Sequence, residues 1–269
     1  MVQRITIAAE QCSGSTLTLT ADQAHYLIDV LRLQAGDRFI AQDGTGTQWI
    51  AALKATPKHS PSKSSPSQSS PSKSSPPKQQ PQADILETIQ HAITTAPLRL
   101  IAAPTKGNSF DQVIRQATEL GVTHIHPVVT ERTVLKPSSN RRLRWQRIAA
   151  EASEQSERVT VPQIFEPLSF LEYLAHFPLE EDPTEIRYIC GARTNNSHLL
   201  AAIQAQISSE HLPGITLAIG PEGGWTSREI SDAICNGYEE VSLGPVILRA
   251  VTASITALSL VTAARNLLI

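Results

Sequence analysis

The sequence predicts an α/β fold in which a parallel sheet with helical crossovers follows a smaller β-rich domain. Three observations lead to this prediction. Short apolar strands and amphipathic helices alternate from Pro97 onward, as is typical of a parallel sheet. The first 55 residues show period-two alternation and turn residues instead, which favours strands. Between the two regions lies a stretch rich in proline, serine and lysine.

We therefore expect two domains, at residues 1–95 and 96–269, with a disordered insertion at about 56–83 within the first. The insertion repeats a five-residue unit of the PSKSS type and offers no apolar surface to offset the entropy of ordering. It is interpreted as an addition to a surface loop, since loop length adds closure entropy only slowly. A basic tether that contacts RNA is the alternative.

In the first domain, strands are predicted at 15–20, 38–41 and 48–53, with a helix at 21–33. Periodicity does not decide between strand and helix for 85–93. In the second domain, Ser109 and Gln112 are spaced for a capping box, and Gly121 is placed to end that helix. The predicted strands of this domain are 98–102, 122–129, 186–190, 215–219 and 240–243, and the predicted helices are 110–120, 141–157, 167–177, 197–207, 227–235 and 248–267.

Composition excludes several classes of protein. The three cysteines, Cys12, Cys190 and Cys235, are far apart and match no zinc-ligand spacing, so we expect no metal and no disulfide framework. No apolar run has the length of a membrane span or of a signal peptide, and a cytoplasmic location is expected. The net charge is −2 although four lysines lie in the insertion, so any RNA must be bound by local basic patches.

Two glycine-containing loops near the C-terminus are the candidate ligand site. The first is IGPEGGW from Ile219 to Trp225, followed by Thr226 and Glu229 in capping-box register. The second is LGPVILR from Leu243 to Arg249. Each follows a predicted strand, and ligands of open α/β sheets bind outside the carboxyl ends of strands.

The spacing of these loops excludes common nucleotide sites. The chain has no G-x-G-x-x-G after its first parallel strand, no G-x-x-x-x-G-K-[ST] loop and no G-x-S-x-G elbow. What fits is a site with few charges, suited to an adenosine moiety held by backbone amides and by Ile219, Leu243, Ile247 and Leu248. A tight structural turn is the alternative for the first loop taken alone.

The chain resembles the RsmE family of the SPOUT class of RNA methyltransferases. The pair IGPEGGWTSREI and SLGPVILRAVTASITAL is similar to the family's C-terminal signature, IGPEGG followed by LGPRILRxETA. Also similar are LIAAPTKGNSFDQVIRQATELGVTHIHPVVTERTV and RWQRIAAEASEQSERVTVPQI. HYLIDVLRLQAGDRF is similar to the opening PUA-like module, so the resemblance covers nearly the whole chain outside the insertion.

The resemblance implies a SPOUT-type parallel sheet with a C-terminal trefoil knot and an N-terminal PUA-like β-barrel domain. It implies a homodimer whose interface borders the cofactor. The implied activity is methyl transfer from S-adenosyl-L-methionine to N3 of a uridine in 16S rRNA of the small ribosomal subunit. The cofactor-binding residues that follow from it are Leu217, Ile219, Gly220, Gly223, Leu243, Gly244, Pro245, Ile247 and Leu248.

Three catalytic candidates accompany the cofactor site. Arg249 matches the arginine of the family's ILR element and is expected to bind a phosphate or the uracil O4 through its forked donors. Glu222 is a candidate for orienting the cofactor or accepting a proton, although an acid before a helix also suits the helix dipole. Arg158, with Gln155, matches a polar stretch that in the family lies near the active site and is expected to reach the partner subunit's pocket.

Lys106 and Arg132 are expected at strand ends on the ligand side, as RNA contacts; ordinary surface charges are the alternative for both. His25, His124 and His126 are possible bases, but histidines in such elements are more often packed.

Two departures from the signature bear on function. Val246 and Val251 stand where the family usually has arginine and glutamate, so either another group takes the proton or the substrate differs. The alternatives are a SPOUT enzyme acting on another RNA nucleoside, or an inactive module that binds RNA or ribosomes. A dinucleotide oxidoreductase lacks its phosphate fingerprint.

Overall fold

The chain forms two units, Met1–Ala92 and Ile93–Ile269, each with its own core. The computed structural model describes residues 2–55, 80–92, 96–105, 107–134, 139–178, 184–192, 194–208, 210 and 212–268. The disorder predicted for the insertion therefore falls mostly outside the described residues, at 56–79.

A six-stranded mixed sheet makes up most of the first unit. Its strands are β1 (Arg4–Thr6), β2 (Cys12–Ser13), β3 (Thr16–Thr18), β4 (Arg38–Gln42), β5 (Thr47–Leu53) and β6 (Gln82–Gln90). They are ordered β1-β4-β5-β6-β3-β2, and only the β1/β4 pair is parallel. Leu17, Leu27 and Phe39 are fully buried between these elements, and their burial fixes which strand faces point inward.

Strand β6 settles the segment that periodicity left open, and it moves the end of the insertion. Its first residues, Gln82 and Ala83, lie within the range expected to be disordered, but both are paired with β3. The Pro81 carbonyl also accepts a hydrogen bond of 2.9 Å from the Leu19 amide. The insertion therefore ends earlier than about 83, because Ala83 is needed in the core.

The prediction of one continuous α-helix at 21–33 is wrong. It is a short helix, α1 (Ala21–Ala24), which continues as a π-helical turn, His25–Val30, in which the Leu31 amide donates to the Tyr26 carbonyl at 2.9 Å. Arg32 then adopts a positive φ of 59°, which ends the segment. Hydrophobic spacing does not distinguish an α-helix from a π-turn over so few residues, because Leu27 is buried in either.

The second unit is a parallel sheet covered by helices. Its strands are β7 (Leu98–Ala102), β8 (His124–Val129), β9 (Gln163–Ile164), β10 (Leu168–Ser169), β11 (Ile186–Gly191), β12 (Ile215–Ile219) and β13 (Tyr238–Ser242). Its helices are α2 (Ser109–Glu119), α3 (Ser139–Gln155), α4 (Phe170–His176), α5 (Leu199–Gln206), α6 (Ser227–Cys235) and α7 (Ala250–Asn266). The order is β10-β8-β7-β12-β11-β13, with β9 also paired to β8, and every pairing is parallel.

Alternate strand residues divide the core between the two faces of this sheet. Leu100 and Leu217 belong to the cluster that packs under α2, α3, α5 and α7, whereas Ile101 and Ala218 belong to the cluster under α4 and α6. Both faces are covered, which explains why β12 is buried along its whole length. The predicted strand and helix alternation is confirmed.

Local capping was predicted with mixed success. Gly121 follows α2 with a φ of +93°, as expected for a helix stop. The capping box expected from Ser109 and Gln112 is wrong, because the helix begins one residue earlier and its N-cap, Asn108, makes no side-chain cap bond. Within the described ranges, no helix is both long and apolar enough to cross a membrane.

Candidate functional site

A cavity of about 280 Å³ opens at the carboxyl ends of β11 and β12, close to the lower end of the roughly 300–1,000 Å³ found for small-molecule sites. The two glycine-containing loops form most of its wall, and the end of β11 and the first turn of α7 complete it. The loops are neighbours because β12 and β13 flank β11. The lining residues are Arg132, Cys190, Gly191, Ala192, Ile219, Gly220, Pro221, Glu222, Gly223, Gly224, Trp225, Ile230, Leu243, Gly244, Val246, Ile247, Leu248, Ala250 and Ala253.

The first loop is a tight turn fixed against a buried tryptophan. The Gly224 amide donates to the Pro221 carbonyl at 2.8 Å, and Gly224 has a φ of +70°. Trp225 is only 8% exposed and packs on Phe170 with ring centroids 4.6 Å apart. A Cβ at Gly220 would lie 3.2 Å from the indole, so any larger residue there would push against the packed Trp225 ring.

The second loop bends at Gly244, whose φ of +121° is a conformation that side chains other than glycine rarely adopt. The Gly244 amide donates to the Ser242 hydroxyl at 3.1 Å, which holds the bend at the end of β13. Beyond it, Val246 and Ile247 are 68% and 61% exposed at the cavity mouth. The loop therefore presents backbone and apolar side chains to a ligand.

Two side chains join the turn after β8 to the first loop. Arg132 Nη1 donates to the carbonyls of Gly223 at 2.9 Å and Trp225 at 3.2 Å. Glu229 is 3% exposed and accepts from the Glu131 amide at 2.9 Å and from the Thr226 amide at 2.8 Å. The Thr226 and Glu229 capping box is confirmed, and Glu229 additionally connects two loops.

Glu229→Ala should weaken the loop that forms the cavity. The change leaves the part-buried amides of Glu131 and Thr226 without their acceptor, and each such loss costs about 1 kcal/mol. We expect a lower free energy of unfolding and weaker binding of a cavity ligand, measured by urea denaturation and by calorimetry. Glu172→Ala, in the exposed capping box of α4, is the matched control and should cost about 1 kcal/mol without affecting the cavity. Equal effects of the two changes would contradict the connecting role.

Most of the predicted cofactor residues meet in the cavity. The seven that line it are Ile219, Gly220, Gly223, Leu243, Gly244, Ile247 and Leu248. Leu217 does not, since it is fully buried in the middle of β12 in the core under α7. Pro245 is exposed and lies outside the lining. Leu217 and Ile219 are two residues apart, so they share a face of β12. Only Ile219 lies at the carboxyl end of the strand, where the cavity opens.

The catalytic candidates are dispersed. Glu222 lines the cavity, and Arg249 is exposed as the N-cap residue of α7, beside Leu248 of the lining. Arg158 does not approach the cavity of its own chain. Its guanidinium donates to the carbonyls of Thr118 and Val122, at the end of α2 and just before β8, which is the amino-end side of the parallel strands.

Burial lowers the pKa of Arg158 to about 10, where it still carries its charge at neutral pH. Its two carbonyl contacts give Arg158 a structural role in its own chain, and its catalytic role at the partner subunit's pocket stays a prediction.

Of the two candidates for RNA contact, the structure describes only Arg132. Arg132 lies at the cavity, where one of its donors holds the first loop. Lys106 lies outside the described residues.

The three candidate histidines are not among the residues that line the cavity: His25 is exposed and bonds to Asp29, and His124 and His126 lie on β8. His126 stacks on Phe165 with ring centroids 4.0 Å apart, and burial lowers its pKa to about 3, so it is a neutral aromatic group of the core. His124 lies on the same strand, and desolvation also lowers its pKa. Packing, the alternative considered for both, is what the structure shows.

Sequence reasoning missed the third wall of the cavity, formed by Cys190, Gly191 and Ala192. A Cβ at Gly191 would lie 2.3 Å from Glu240 Oε1, so the Glu240 carboxylate would have to turn away to admit a larger residue. Burial raises the pKa of the Cys190 thiol to about 12, so it stays neutral and unreactive. No local signal marks this strand end, since its place beside β12 depends on the sheet order.

The cavity suits a nucleoside ligand of low net charge. Its walls are backbone at five glycines and mostly apolar side chains, with Glu222 and Arg132 as the charged members. A Cβ at Gly191, Gly220 or Gly223 would lie 2.3, 3.2 or 3.1 Å from a neighbouring side chain, so a larger residue at any of them requires that neighbour to shift. The described part of the chain contains no group of three or more histidine, cysteine or acidic residues able to hold a metal ion.

A parallel sheet, a PUA-like unit and a nucleoside-sized cavity at glycine-rich loops define an RNA methyltransferase. Residues 94–262 match the family described as an RNA methyltransferase domain, and residues 19–62 match an RNA methyltransferase PUA domain. The ribosomal RNA small subunit methyltransferase E of Synechocystis sp. is 41% identical over 98% of this chain and 78% of its own length. That of Rickettsia conorii is 28% identical over 95% of this chain and 93% of its own.

The chain belongs to the ribosomal RNA small subunit methyltransferase E family. A solved member from Neisseria gonorrhoeae, bound to S-adenosyl methionine, has a TM-score of 0.77 and 27% identity, covering 99% of this chain and 98% of that one. The expected SPOUT-type sheet and PUA-like domain are thereby confirmed.

Proposed function

We propose that this chain transfers a methyl group from S-adenosyl-L-methionine to N3 of a uridine in 16S rRNA of the small ribosomal subunit. The observation that carries the proposal is the cavity between the two glycine-containing loops. Family membership and the S-adenosyl methionine bound to the Neisseria gonorrhoeae structure support it.

The cofactor supplies an electrophilic methyl group on a sulfonium, which leaves as a neutral thioether. In methyl transfer, a bond would form between uracil N3 and the methyl carbon, and the bond between that carbon and sulfur would break. The N3 proton goes to a base. The protein's contribution is mainly to position the two reactants and to accept this proton.

Glu222 is the proposed proton acceptor. Val251 occupies the position where the family usually has glutamate, and it packs, half-buried, against the core cluster under α7. A valine side chain has no group that can take a proton. Glu222, in contrast, is an exposed carboxylate in the cavity lining. Arg249, exposed at the cavity mouth, would bind the uracil O4 or a neighbouring phosphate.

Family membership also implies a topology, an oligomeric state and a location for this chain. We infer a trefoil knot at the C-terminus, a homodimer and a cytoplasmic location. The exposed apolar side chains of Val246 and Ile247 at the cavity mouth support an interface beside the cofactor. Sedimentation velocity tests the dimer; a monomer at the concentrations used for activity would contradict it.

Methyl transfer to small subunits lacking the modification tests the function. Purified protein, S-adenosyl-L-methionine and such subunits should yield N3-methyluridine on nucleoside mass analysis, and Glu222→Gln should reduce the rate at least tenfold with little change in cofactor affinity. Methylation of another atom would show the runner-up enzyme. Cofactor binding without transfer to subunits or to bare rRNA would favour an inactive binding module, the candidate that Val251 makes reasonable.

A further inference from the structure

Helix α3 carries an unusual concentration of positive charge. Four arginines, Arg141, Arg142, Arg144 and Arg147, lie within its first nine residues, in a protein whose net charge is −2. No acid lies among them. The acids of the helix, Glu151 and Glu154, are confined to its C-terminal half.

Two of the four arginines have structural partners. Arg144 donates from Nε to Asp111 at 2.9 Å, although 60% of its side chain stays exposed. Arg142 pairs with Glu166 at 2.5 Å. Arg141 and Arg147 form no hydrogen bond or ion pair with any residue in the described ranges. Arg141, Arg144 and Arg147 are spaced by three, so they form one row along the helix.

This arrangement opposes the stability of the helix. Peptide dipoles make the N-terminus of a helix positive and the C-terminus negative, so a cation in the first turn or an acid in the last turn is unfavourable, typically by about 0.3–1 kcal/mol. This applies to Arg141 and Arg142 and to Glu154, whereas Arg144 and Arg147 lie beyond the first turn. In α3 there is no acid in the first turn and no base in the last. Ion pairs account for Arg142 and Arg144, but no stabilising contact within the described residues accounts for Arg141 and Arg147. Local conflicts of this kind are expected at functional sites.

We infer that the arginine row of α3, Arg141, Arg144 and Arg147, is a binding surface for the phosphate backbone of RNA. The inference rests on the proposed function, which makes RNA the polyanion that this protein meets. Arg144 and Arg147 are exposed and Arg141 is half-buried. Guanidinium groups spaced in this way suit successive phosphates, and such contacts set position and affinity without reading sequence. The row lies outside the cavity lining, on the helix layer over the face opposite α6.

A matched pair of variants tests the surface. Arg147→Gln removes a charge from the row, and Arg228→Gln removes one from α6, where the side chain is 75% exposed over the other face of the sheet. Binding of a fluorescein-labelled RNA hairpin is measured over a series of salt concentrations. The slope of log affinity against log salt should become shallower by about 0.7–0.9 for Arg147→Gln and stay unchanged for Arg228→Gln. The double variant Arg141→Gln/Arg147→Gln should lose roughly tenfold in affinity at low salt.

The unfolding temperature and the cofactor affinity of the double variant show whether the arginine row binds RNA or instead supports the fold. The double variant should unfold at the same temperature as the wild type or higher, because it relieves the helix dipole, and should bind S-adenosyl-L-methionine unchanged. A lower unfolding temperature, or an equal loss of RNA affinity in Arg228→Gln, would overturn the inference.

Activity separates this inference from the proposed function. If the wild type methylates small subunits and the double variant does so equally well with an unchanged salt slope, the surface is wrong and the function stands. Weaker binding to whole subunits but not to RNA would assign the row to a ribosomal protein instead, which also overturns it.

Discussion

Replacing Gly220 by valine should abolish measurable binding of S-adenosyl-L-methionine, with a loss of more than about 100-fold in affinity, or about 2.7 kcal/mol. The sequence alone suggested that the new Cβ would occupy ligand space. The structure gives a different reason, since the Cβ would meet the Trp225 indole at 3.2 Å. Phe170 packs behind that indole, so the loop must move and the cavity loses its shape.

A second substitution tests this mechanism. In Gly220→Ala the same contact arises with a smaller side chain, so a partial loss of affinity is expected. Adding Trp225→Leu should restore part of it, because the obstructing ring is removed. Calorimetry measures affinity, and circular dichroism confirms that each variant is folded. Full affinity in a folded Gly220→Val protein would refute the role of this glycine.

Removing the Glu185 carboxylate should produce the largest loss of stability, about 3–5 kcal/mol. Glu185 binds Arg99 at 2.5 Å and Arg187 at 2.8 Å, and Thr216 donates to it as well. The Arg187 side chain is only 5% exposed, so alanine at 185 leaves a buried cation without its counter-charge. Urea unfolding of Glu185→Ala measures the effect.

The exposed pair of Glu166 and Arg142 provides the control, since Glu166→Ala should cost at most about 1 kcal/mol. Glu185 lies beside the amino ends of β7, β11 and β12, whereas the cavity is at the carboxyl ends. Cofactor affinity of the folded Glu185→Ala protein should therefore be unchanged. A stability loss below 1 kcal/mol would contradict the account of this buried cluster.

The features that the sequence predicted correctly are those with local causes. Strand and helix alternation after Pro97, the stop at Gly121 and the capping box of Thr226 and Glu229 depend on residues close together in the chain. The second loop was located for the same reason, because Gly244 follows a short strand.

The features that it missed depend on residues far apart. The role of Glu229 toward Glu131 needs the turn after β8 to lie beside α6, and the wall at Gly191 needs β11 to lie between β12 and β13. The contacts of Arg158 with the carbonyls of Thr118 and Val122 also could not be predicted from the sequence, because α2 and β8 lie far from Arg158 in the chain. The arginine row of α3 can be read in the sequence. Proposing it as a binding surface required the structure, which shows which arginines form ion pairs.

A crystal structure grown with S-adenosyl-L-methionine tests the central claim most directly. We predict that the ligand lies between residues 220–225 and 243–248, with its adenosine against the glycine backbone and the side chains of Leu243 and Ile247. A ligand bound elsewhere, or a cavity closed by the protein's own side chains in the presence of saturating ligand, would contradict the account.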